Sequence, residues 1–125
     1  MTTDGRPLSP HLTIYRWPIT MVLSILHRVT GVGLSVGLIA FVLWVEAIAY
    51  DFIPYDAVLS LMQSLPGQLL LFGWCFSFFF HLANGIRHLV WDTGRALELE
   101  TAYAFGWIVL IGSILLTVAL LGVLL

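Results

Sequence analysis

The chain has 125 residues, room for one domain, and 60% of them are hydrophobic against 10% charged. A soluble domain this small has to cover its core with polar residues, whereas here long stretches carry no charge on any face; the composition excludes a water-soluble globular protein and makes lipid the solvent. The formal net charge is only −2, and the five basic residues are all arginine, with no clustered basic surface of the kind that binds nucleic acid.

Residues 1–28 form an N-terminal segment in which Arg6, Pro7, Pro10, Arg16 and Pro18 fall before the first apolar run. That is not the form of a cleavable signal, so the first span is expected to stay. Pro18 can open a helix, because the first turn needs no backbone donor there. Residues 29–50 then make a first span, apolar apart from small residues and Glu46, and at about 1.5 Å per residue they are long enough for a hydrocarbon core of roughly 30 Å. Gly31, Gly33, Ser35 and Gly37 include a Gly-x-x-x-Gly pair. Such a pair lets a neighbouring helix or a flat cofactor approach the backbone, and packing within the chain is the plainer of the two uses.

Residues 51–67 form an outer loop, where Ile53-Pro54 and Leu65-Pro66-Gly67 bracket a segment that can make a short interfacial helix. The second span covers residues 68–91 and turns polar only towards its end. An inner loop, residues 92–102, leads to a third span, residues 103–125, with no charged residue. The reading is an all-α membrane protein, a single anchor domain of three transmembrane helices. Trp17, Tyr50, Tyr55, Trp91 and Tyr103 fall near the span ends, as interfacial anchors do. Arg6, Arg16 and Arg28 precede the first span, and Arg87 and Arg95 flank the end of the second. All five therefore lie on one side, which the positive-inside rule makes the cytoplasm or the mitochondrial matrix. The single cysteine, Cys75, lies inside an apolar run, can form no intrachain disulfide, and reads as packing.

The second span ends in His81-Leu-Ala-Asn-Gly-Ile-Arg-His88-Leu-Val-Trp-Asp92, where His81, Gly85, His88 and Asp92 follow at steps of four, three and four and so share one helix face. Arg87 and His88 are near enough to the inner end to extend their polar tips towards water. His81 lies seven residues deeper, about 10 Å on the helical rise, and needs a partner inside the membrane. That partner is either a hydrogen bond to another helix or a metal. Haem iron takes a neutral imidazole nitrogen, and the porphyrin plate needs small residues beside it, for which Gly85 is placed one turn away. With no Cys-x-x-Cys-His in the chain, such a haem is held by coordination and packing alone. Its propionates would meet His27, Arg28 and His88 on the inner side.

At the start of the first span, Ser24, His27 and Arg28 stand at i, i+3 and i+4 on one face. Antiparallel packing is expected to bring them level with His88, and His27 is expected to lie too near the membrane edge to share an iron with His81. A hydroxyl and a guanidinium at the bilayer rim suit a quinone carbonyl whose tail remains in lipid. A serine cap and an arginine reaching lipid phosphates would give the same residues.

Three segments, Arg6-Pro-Leu-Ser-Pro-His-Leu-Thr-Ile-Tyr15, Ser24-Ile-Leu-His-Arg-Val-Thr-Gly31 and His81-x-x-x-Gly-Ile-Arg-His88 with Asp92, together resemble the cytochrome b-type membrane-anchor subunits of succinate dehydrogenase, in their mitochondrial and alphaproteobacterial form. The resemblance covers nearly the whole chain. It implies that His81 is an axial ligand of haem b, that a histidine of a companion anchor subunit supplies the other, and that His27 and Arg28 lie near the haem propionates. Ser24 and Arg28 then line a ubiquinone site. The implied partners are the companion anchor, an iron–sulfur subunit, a flavoprotein subunit and membrane lipid. The implied location is the bacterial inner membrane, N-terminus in the cytoplasm, or the mitochondrial inner membrane in a eukaryote. No succinate-oxidising site is expected in this chain. The alternatives are an anchor of a related fumarate reductase and a haem-free structural or transport protein.

Overall fold

The computed structural model describes residues 14–124. The motif residues Arg6 to Thr13, including one of the five arginines, lie outside the described residues. Among the described residues four helices follow one another: α1 (Ile19–Ala49), α2 (Tyr55–Gln63), α3 (Leu65–Asp92) and α4 (Leu99–Leu124). Three of them, α1, α3 and α4, are long and apolar enough to cross a membrane.

Helix α1 begins ten residues before the expected first span. Pro18 is its N-cap, and the Pro18 carbonyl accepts from the amides of Met21 at 3.1 Å and Val22 at 3.3 Å. Ser24, His27 and Arg28 therefore sit inside the helix, in its second and third turns, which removes the capping role considered for Ser24. Its end comes where Asp51 takes φ 57°, the left-handed conformation that stops a helix. Pro54 precedes the short helix α2, whose position matches the expected interfacial segment. Helix α3 opens with a serine cap and a proline in its first turn: Ser64 Oγ accepts from the Gly67 amide at 3.3 Å. A Cβ on Gly67 would run into the Leu61 carbonyl, so glycine is what lets the last turn of α2 seat on the first turn of α3. The α3–α4 turn uses Gly94 at φ 76° and Ala96 at φ 56°. Trp91 Nε1 braces it by donating to the Ala96 carbonyl at 3.0 Å.

Helix α3 is central, packing α1 on one face and α4 on another. The three meet at Leu23, Phe80 and Val109. On α4 the buried residues are Ala102, Gly106, Val109, Ser113 and Thr117, a single stripe of mostly small side chains. In lipid, where apolar burial drives little, small residues favour helix contact by close approach. A Cβ on Gly106 would stand 2.7 Å from Leu23 Cδ1. The Ser113 and Thr117 hydroxyls return to carbonyls four residues back, at 2.6 and 2.7 Å, and so need no outside partner.

The glycines of α1 face α3. A side chain on Gly37 would overlap the Trp74 indole, while one on Gly33 would meet Ser77 Oγ at an ordinary 3.9 Å. The Gly-x-x-x-Gly pair thus serves packing within the chain. Beyond it, α1 and α3 bound an apolar groove of about 760 Å³, to which α2 adds Met62 and α4 adds no residue.

Candidate functional site

His27 on α1 and His81 and His88 on α3 form one cluster. The His27 and His81 rings lie face to face, centroids 3.9 Å apart and planes 11° from parallel, and the His88 ring is 5.4 Å from His27 at a tilt of 51°. His27 is therefore as deep as His81, contrary to the expectation that it stays near the membrane edge. The reason is the early start of α1: eight residues of helix, about 12 Å, precede His27. It still cannot share an iron with His81. Two imidazoles that ligate one metal present their nitrogens to it edge-on, and stacked rings leave no place between them for the atom.

His81 is held in a defined way. Its Nδ1 lies 3.1 Å from the His27 carbonyl and 3.3 Å from Thr30 Oγ1. A carbonyl can only accept, so Nδ1 carries the proton and donates it. Nε2 is then the nitrogen with the lone pair, and among the described residues nothing bonds to it. This is the arrangement of metal-binding histidines, in which one ring nitrogen donates to a carbonyl while the other faces the metal. The glycine against the ring is Gly31, where a Cβ would stand 3.0 Å from His81 Cε1. Gly85 lies beside His27. Which glycine faces which histidine depends on the register of α1 against α3, which the spacing along α3 alone does not contain.

His27 Nδ1 is buried and without a hydrogen-bond partner among the described residues. His88 meets Trp91 edge to face at 5.1 Å. Ser24 is half-buried and Arg28 exposed, one turn apart on α1. Ser35, Ser77 and Ser113 return their hydroxyls to carbonyls four residues back. Ser24 makes no such bond among the described residues, which leaves its hydroxyl available.

Arg87 corrects a second expectation. Rather than reaching for water, it is 5% exposed and turned towards α4. Nη1 donates to Asn84 Oδ1 at 3.1 Å, Nη2 donates to the Ala102 carbonyl at 3.0 Å, and the guanidinium lies 4.1 Å above the Trp91 ring. Asn84 and Thr30, the second of which holds His81, are polar residues that spacing along the chain did not single out. The signal for Thr30 was its place three residues after His27, where a hydroxyl can reach the carbonyl that His81 also uses.

A helical membrane protein with a histidine cluster between two of its spanning helices, one ring nitrogen of which makes no hydrogen bond among the described residues, is the class these features define. A family model for the succinate dehydrogenase/fumarate reductase transmembrane subunit matches residues 2–120. The chain is 42% identical to the succinate dehydrogenase cytochrome b556 subunit of Rickettsia conorii, over 94% of this chain and 91% of that protein. It is also 42% identical to the mitochondrial succinate dehydrogenase cytochrome b560 subunit of Sus scrofa, over 94% of this chain and 70% of that protein. To the corresponding b560 subunit of Reclinomonas americana it is 43% identical, over 85% and 77% respectively. The chain belongs to the succinate dehydrogenase/fumarate reductase transmembrane subunit family, and it is an all-α membrane protein with three transmembrane helices.

Proposed function

We propose that this chain is the membrane-anchor subunit of a succinate:ubiquinone oxidoreductase, that His81 gives haem b one axial ligand through Nε2, and that Ser24 and Arg28 form one wall of the ubiquinone site. The observation that carries the reading is the state of His81, whose Nδ1 proton is committed to the His27 carbonyl while Nε2 keeps its lone pair. The names of the relatives, cytochromes b of succinate dehydrogenase, agree with it. When bound, the haem supplies one-electron chemistry inside the membrane.

The rest is the work of this chain's side chains. His27, whose buried Nδ1 has no hydrogen-bond partner among the described residues, and Arg28 are the groups suited to the haem propionates. Stacked His27 is not placed to be the second ligand, and the resemblance to the succinate dehydrogenase anchors implies that a companion anchor subunit supplies it; the side of α1 and α3 that α4 leaves free is where it would approach. Arg28 and the available Ser24 hydroxyl donate to a quinone oxygen and stabilise the charge it gains on reduction, while the isoprenoid tail stays in lipid. Succinate is oxidised on a flavoprotein, and an iron–sulfur subunit delivers the electrons to this face. Helices α1, α3 and α4 cross an inner membrane, His27 lying within the crossing part of α1, with the N-terminus and the 92–102 loop in the cytoplasm or matrix.

The test is His81→Ala in the assembled complex. We expect the low-spin haem signal in the reduced-minus-oxidised spectrum to disappear while all four subunits still copurify. A wild-type spectrum in that variant would mean that another residue binds the iron.

A further inference from the structure

Five hydroxyls on the spanning helices donate to carbonyls three or four residues back in their own helix: those of Thr30, Ser35, Ser77, Ser113 and Thr117. For the last four, this local bond is the ordinary way to satisfy a hydroxyl in lipid. Thr30 differs in one respect. Its oxygen also reaches a side chain on another helix, standing 3.3 Å from His81 Nδ1.

We infer that Thr30 is a positioning residue for His81, fixing the ring's orientation and the donor bond that sets how strongly Nε2 gives electrons to a bound iron. This rests on the reading of His81 as the haem ligand. Thr30 is 4% exposed, so its hydroxyl cannot turn to water. Oγ1 donates its proton to the His27 carbonyl at 3.0 Å and keeps lone pairs directed elsewhere. The Nδ1 proton of His81 therefore lies between two acceptors, the His27 carbonyl at 3.1 Å and Thr30 Oγ1 at 3.3 Å. Gly31, next in the chain, leaves only the room the imidazole needs, and His27 covers one ring face. His27, Thr30 and Gly31, all on one short stretch of α1, thus hold a single ring on α3. An acceptor on the far nitrogen increases the basicity of a metal-bound imidazole and favours the oxidised metal, and loss of such a partner typically weakens metal affinity or activity about 10- to 100-fold.

Thr30→Val keeps the shape and deletes the hydroxyl; Thr30→Ser keeps the hydroxyl and trims the shape. Both are to be made in the intact complex, with His81→Ala alongside, and read by haem content, low-spin paramagnetic resonance and a potentiometric titration of the haem. In Thr30→Val we expect the haem to be retained and its potential to rise, the reduced-to-oxidised ratio at fixed potential increasing about three- to tenfold, tenfold being 59 mV for one electron. Thr30→Ser should restore the wild-type titration. Haem loss in the valine variant with retention in the serine variant would support the same role. Wild-type potential and resonance in Thr30→Val, or equal haem loss in both variants, overturns it. Persistence of low-spin haem in His81→Ala instead overturns the ligand reading itself, so the two failures are separable.

Discussion

Two arginines that each adjoin a histidine of the cluster do opposite things, and the difference is their surroundings. Arg28 is exposed in the N-terminal third of α1, next in sequence to His27 and one turn from Ser24. Arg87 is enclosed by Asn84, Ala102 and Trp91. Hydrogen bonds to a charged group contribute about 1.5–3 kcal/mol. If Arg28 donates to the quinone, Arg28→Ala should lower quinone-reductase turnover or affinity about 10- to 100-fold, taking roughly 1.4 kcal/mol per tenfold, with the melting temperature of the complex nearly unchanged. Arg87→Ala should do the reverse, leaving the Ala102 carbonyl and Asn84 unpaired in a buried site and lowering thermal stability, at about 1–3 kcal/mol for each stranded group. Steady-state kinetics with a soluble quinone and thermal melts of the purified complex separate the two; equal kinetic effects from both variants would argue against this division.

At the scale of the helices, α1 and α3 are brought into contact through glycine on one side and bulky or ring-bearing side chains on the other. Gly31 receives His81, and Gly37 receives Trp74. Since the imidazole cluster lies along the same seam, the distance between these helices also sets the geometry of the His27–His81 stack. Gly37→Val should push the Trp74 indole aside at a cost of about 1–3 kcal/mol, typical of overpacking, and reduce both haem content and melting temperature. Gly33→Ala is the control: its added methyl meets only Ser77 Oγ at 3.9 Å, so haem content should hold. Equal tolerance of both changes would mean that the seam adapts and that helix spacing does not govern the site.

For the molecule as a whole, the four described arginines lie towards the end where α1 begins and α3 finishes: Arg16 and Arg28 near one terminus, Arg87 and Arg95 near the other. Burial of Arg87 takes it out of the set that faces the aqueous edge, but Arg16, Arg28 and Arg95 are exposed and still point to one side. On a Cys75→Ser background, Thr93→Cys should react with a membrane-impermeant maleimide from the cytoplasmic or matrix face, and Phe52→Cys from the opposite face. Both positions are exposed. Labelling with the sides exchanged would reverse the topology and with it the placing of the quinone site.

By itself the sequence determined the number of crossing helices, because an apolar run of the needed length with at most one charged residue has no other stable place than lipid. It also determined that His81 needed a partner, because an imidazole that far from either end cannot reach water, and the motifs around Ser24, Arg28 and His81 pointed to the family to which the chain belongs. Only the tertiary structure decided which groups meet. That His27 stacks on His81, that Gly31 and Thr30 attend the ring, and that Arg87 turns into the α3–α4 contact all follow from the register and rotation of one helix against another. Helical periodicity fixes which residues share a face of their own helix. It leaves open how far one helix slides along its neighbour, and a shift of one turn, about 5.4 Å, is enough to exchange one partner for another.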